Sequence, residues 1–137
     1  MKKVLWPGLV AGVAMLITGM IVTMAVSAIF PGLAVQYENT SLFRAWEDPL
    51  MSLFFAAPIL LGLILSHIWS HAKNLFKHKK PCKRGAHFGF CYWVVTIPGM
   101  IITYSSFPIS LGLVASWSAS ILIQGVVAGI ILSKMNK

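Results

Sequence analysis

At 137 residues the chain fits a single domain. Apolar residues make up 58% of it and charged residues only 10%, against roughly 25% charged in soluble domains. That is too little polar surface to clothe a water-soluble core. The net charge of +8 raises nucleic acid as a partner, but no recognition motif accompanies the charge, and its placement argues for another role.

The first apolar block runs from about Val4 to Ala34 and carries no charge. Its start, Met1-Lys2-Lys3, and the small residues Val26-Ser27-Ala28 have the look of a secretory signal. The run exceeds a usual signal core of about 7–15 residues, so a retained first helix is expected. Pro7 sits near the helix start, where proline is tolerated, and Pro31-Gly32 ends the block. A polar segment, Gln36 to Asp48, follows. It holds all three acids of the chain, Glu38, Glu47 and Asp48, with one base, Arg44. Asp48-Pro49 reads as a helix start, the carboxylate capping free amides and the proline preset for the first turn. The second block spans about Pro49 to Trp69, with Pro58 expected to bend it.

Lys73 to Arg84 is a basic loop containing Lys73, Lys77, Lys79, Lys80, Lys83 and Arg84, with Pro81 read as a break. The third block spans about His87 to Tyr104, bent at Pro98. Ser105-Ser106-Phe107-Pro108 turns the chain into the fourth block, about Ile109 to Ser133. A basic tail closes the sequence. Each block has at least 18 residues, and at about 1.5 Å per residue a helix of that length approaches the roughly 30 Å of a hydrocarbon core. Backbone groups in lipid must pair within their own segment, and the blocks lack the alternation of a membrane barrel. The expected fold is therefore an all-α membrane protein, an up-down-up-down bundle of four transmembrane helices in one domain.

An even number of crossings places Lys2, Lys3, the six loop bases, Lys134 and Lys137 on one side, ten of the eleven bases. The positive-inside rule makes that side cytoplasmic. Both termini are then cytoplasmic, and Cys82 and Cys91 are expected to be reduced. Trp6, Trp69, Tyr92 and Trp93 fall near the inner boundary, and Tyr37, Trp46, Tyr104 and Phe107 near the outer one, as an aromatic belt requires. Trp117 is the exception, close to mid-membrane, where it is expected to pack against another helix and find there a partner for its indole N–H.

Chemistry-bearing residues are sparse. The basic loop suits a topology determinant or anionic lipid headgroups. His67 and His71 share a helix face, with His87 at a similar depth. Three such imidazoles could ligate a metal, but no acid lies near and the cysteines lack ligand spacing. No catalytic residue, cofactor or metal site is expected. In the outer loop Arg44 and Asp48 could pair or bind an anion, and Asn39-Thr40-Ser41 matches a glycosylation sequon. On the fourth helix, Gly112, Ser116, Ser120 and Gln124 form one polar ridge, and Gly125, Gly129 and Ser133 a neighbouring small-residue ridge. Such ridges let helix backbones approach and hydrogen-bond. No charged residue lies inside a span, although ion-coupled transport usually needs one.

Arg44-Ala45-Trp46-Glu47-Asp48-Pro49-Leu50-Met51, and Pro98-Gly99-Met100 with Tyr104-Ser105-Ser106-Phe107-Pro108, resemble small, uncharacterised four-helix bacterial inner-membrane proteins. The resemblance would cover most of the chain. It implies a bacterial inner-membrane setting and brings no activity with it. The expected function is helix association without enzymatic activity, as a homo-oligomer or with a partner membrane subunit, surrounded by membrane lipids. The alternative is a small-solute carrier or channel lined by Ser116, Ser120 and Gln124.

Overall fold

The computed structural model describes residues 2–136. Four long helices carry the fold: α1 (Lys2–Ile29), α3 (Ser52–Ala72), α4 (Pro81–Ser106) and α5 (Leu111–Met135). A single turn, α2 (Pro31–Ala34), and 3-10 turns at Val35–Glu38, Pro49–Met51 and Lys73–Leu75 complete it. Four segments, Val4–Ile29, Pro49–Leu75, Pro81–Ser106 and Leu111–Met135, are long and apolar enough to cross a membrane. At about 1.5 Å per residue each exceeds the roughly 30 Å hydrocarbon thickness. The chain is an all-helical membrane bundle.

The helix boundaries follow local chemistry and differ most from the sequence reading at Pro31 and Pro81, while Ser105 and Ser106, read as part of a turn, belong to the last turn of α4. The first helix stops at Ile29 rather than Ala34, because Pro31 opens a separate turn after Phe30 leaves helical geometry. The third helix begins at Pro81 rather than His87. Pro81 occupies the first helical position, where its missing N–H costs nothing. It therefore starts a helix instead of breaking one, and Lys83 and Arg84 lie on that helix's first turn. The expected start at Asp48-Pro49 is present, with Asp48 accepting from the Leu50 amide at 2.9 Å. Ser110 caps α5 by accepting from the Leu113 amide at 3.2 Å. Both α3 and α4 remain helical through Pro58 and Pro98.

Two antiparallel hairpins, α1 with α3 and α4 with α5, join along an α1–α5 seam. The main core gathers Ala11, Met15, Leu65, Trp69, Phe88, Ala128 and Leu132 at the basic end. A smaller cluster of Ile109, Leu113 and Val114 lies at the other end, against Leu33, Tyr37, Leu42, Phe43 and Trp117. The outer lengths of α1, α3 and α4 are not closed in this way. Among the described residues, none of α1 after Met15, of α3 before Gly62 or of α4 after Gly89 is buried.

Candidate functional site

Lipid tails are as apolar as leucine, so helices associate in a membrane by close packing and polar contacts. Glycine supplies the closeness here. A Cβ at Gly125 would come within 2.9 Å of the Tyr92 ring, and one at Gly129 would overlap the Gly85 carbonyl. Conversely, a Cβ at Gly85 would overlap Gly129 backbone, and one at Gly89 would overlap Gly125 backbone. Gly85 and Gly89, four apart on α4, thus face Gly125 and Gly129, four apart on α5. Ser133 extends the seam, its hydroxyl reaching the Pro81 carbonyl at 2.7 Å. Further along, Trp93 Nε1 donates to Ser118 Oγ at 2.9 Å. The same device closes the first hairpin. A Cβ at Gly8 would meet Leu63 Cα at 2.9 Å, and one at Gly12 would meet Ile59 Cα at 2.7 Å. Ser66 Oγ donates across this contact to the Val4 carbonyl at 2.7 Å.

The polar ridge of α5 meets α1 at Gln124 and the α2 turn at Gly112. Gly112 lies 3.2 Å, measured from its would-be Cβ, from Leu33, and a Cβ at Gly19 would stand 3.0 Å from Gln124 Nε2. Ser116 and Ser120, spaced four apart between those two positions, are half-buried on the same face. Their polar groups bond within α5: Ser116 Oγ donates to the Leu113 carbonyl at 2.7 Å, and Gln124 Nε2 to Ser120 Oγ at 2.9 Å.

At the acidic end, Arg44 Nη1 bonds Asp48 Oδ2 at 2.8 Å in an exposed i, i+4 pair. The Leu50 amide, and after it Arg44, hold the Asp48 carboxyl below its ordinary value. Inward of this loop, Tyr37, Phe43 and Trp117 form an aromatic cluster with ring centroids 5.4–6.3 Å apart. The indole of Trp117 donates to the Tyr37 hydroxyl. Trp117 therefore finds its partner in the outer segment and not on a neighbouring span. Beside it lies a cavity of about 250 Å³ lined by Leu42, Phe43, Thr103, Phe107, Ile109 and Trp117.

At the basic end, Trp69 is fully buried. Its Nε1 donates to the Asn136 carbonyl at 2.9 Å, while Lys73 Nζ donates to Asn136 Oδ1 at 3.0 Å. Phe76 and Phe88 pack on the Trp69 ring, and the Arg84 guanidinium lies over it at 5.4 Å. The histidines form two separate pairs. His67 and His71 lie with rings 4.7 Å apart, and His87 Nδ1 approaches His78 Nε2 at 3.2 Å. Among the described residues, no three His, Cys, Asp or Glu side chains gather as metal ligands. Cys82 and Cys91 are exposed thiols.

The molecule belongs to the class of polytopic helical membrane proteins. Comparison with protein-family models, with curated proteins and with solved structures finds no match.

Proposed function

We propose that this protein is a non-enzymatic component of a bacterial inner membrane, with both termini cytoplasmic. It works by lateral helix association, as a homo-oligomer or as an accessory subunit. The segregation of ten bases from all three acids supports the orientation. One observation carries the association. Internal packing uses up the glycines of α5 but leaves a face of α4 unpartnered. Val95, Gly99 and Ile102 lie on that face, with Val95 77% and Ile102 63% exposed. A Cβ added at Gly99 would meet nothing within 4 Å. A glycine notch between two large apolar side chains suits another helix. The solute-carrier alternative has less support, because Gln124 packs against Gly19 of α1, and Ser116, Ser120 and Gln124 make hydrogen bonds within α5.

Native mass spectrometry after gentle extraction tests the reading. A second copy or a second polypeptide in fixed ratio is expected, and Gly99→Leu should release the monomer while leaving its thermal unfolding unchanged. A wild-type protein that is monomeric and alone would overturn it.

A further inference from the structure

We propose that the basic end of the bundle docks the phosphate headgroups of anionic phospholipids, held by Lys77, Lys79, Lys80 and Lys83. Phe76 carries the first part of the case. Its ring stacks on Trp69 at 5.9 Å and meets Phe88 at 5.6 Å and His87 at 5.2 Å. That contact draws the connection between α3 and α4 down onto the bundle end. Only a short strap then links the Lys73–Leu75 turn to Pro81, so its lysines stand at the level where two spans leave the hydrocarbon.

Charge carries the second part. Lys77, Lys79, Lys80 and Lys83 are all exposed, and Lys134 is exposed on the last turn of α5. The three acids lie in the connection at the opposite end, so no carboxylate side chain competes for these cations. Arg84 and Lys73 are already engaged by the bundle, the one over Trp69 and the other with Asn136. The strap lysines, with Lys83 on the first turn of α4, are the cations offered outward. The start of α4 points the same way, with Lys80 at the cap position supplying no side-chain acceptor to the first amides. An anionic headgroup brings several acceptor oxygens to this surface, and juxtamembrane clusters of four or more bases attract such lipids. The source is lipid rather than free phosphate because the spans fix the lysines beside a bilayer.

The test uses the full chain in nanodiscs of equal phosphatidylcholine and phosphatidylglycerol, with lipids retained after release counted by native mass spectrometry. Phosphatidylglycerol should be retained about fivefold over phosphatidylcholine. The excess should fade as salt rises from about 0.05 to about 0.5 M. Replacing Lys77, Lys79, Lys80 and Lys83 with Gln should bring the ratio to unity, whereas replacing them with Arg should preserve it. Should the Gln variant not fold, the wild-type salt series decides. Equal retention by the wild type, a salt-independent excess or an undiminished preference in a folded Gln variant would overturn the proposal. So would loss of the excess in millimolar inorganic phosphate, which would make free phosphate the ligand.

Discussion

The two ends of the bundle are built by different rules. At the basic end, α4 and α5 touch backbone to backbone through Gly85, Gly89, Gly125 and Gly129, and the fully buried Trp69 fills the space between hairpins. At the acidic end the helices present Phe54, Phe55, Val95 and Ile102 outward, and closure falls to a connecting segment anchored by Tyr37, Phe43 and Trp117. The contrast shows what a membrane asks of a helix pair. Apolar side chains gain little by leaving lipid for one another, so contact is tight only where backbones can approach. Where backbones do not meet, as around Gly99, the faces stay open to lipid or to a partner.

The largest expected effect breaks the tight end. Gly85→Leu or Gly129→Leu forces the two backbones apart, and thermal unfolding in detergent should show loss of the cooperative transition. Overpacking alone costs about 1–3 kcal/mol, and here the obstructing atoms are backbone and cannot rotate away. Gly32→Leu, where a Cβ meets nothing within 4 Å, should leave the transition in place. Next is Trp69→Ala, expected to cost about 3–5 kcal/mol as a large buried side chain. Trp69→Phe should recover most of that and lose the Asn136 bond, which denaturant titration would resolve. At the loose end, Trp117→Phe keeps an aromatic ring in the cluster but trims it and removes the indole bond to Tyr37, a bond worth about 0.6 kcal/mol in membrane proteins. Hydrogen exchange should then rise around Tyr37 and stay unchanged around Trp69.

The smallest effect sharpens the comparison at its exposed rim. The Asp48 pKa is lowered chiefly by the Leu50 amide and then by Arg44. Its stabilising contribution is therefore present above the ordinary aspartate value of 3.8 and is lost as pH falls through the lowered value. Protection of the Leu50 amide, its exchange taken relative to the intrinsic rate at each pH, should fall only in that acid range, and Asp48→Asn should weaken this pH dependence.

The four spans and the Asp48-Pro49 helix start were legible because long uncharged runs and cap chemistry are local signals. The start of α4 was not, since Pro81 among lysines resembles a loop when the partner helix is out of view. Gly85 lies between the basic loop and the third block as read, outside any expected helix, so its pairing with Gly89 at the same spacing of four as Gly125 and Gly129 was hidden. Trp69 resembled an interfacial anchor by depth alone. Its burial depends on Phe76 folding back from the strap, a tertiary event that leaves no periodic trace. The same fold-back pairs His87 with His78 and separates it from His67 and His71.

The glycine seam also has a genetic consequence. Every other amino acid carries at least a Cβ, so no codon change at Gly85, Gly89 or Gly129 yields a residue that fits between α4 and α5 as they stand. A library of all single substitutions, scored by yield in the membrane, should leave those three columns nearly empty. The column for Gly99 should be as full as that of any lipid-facing leucine, unless a partner occupies it.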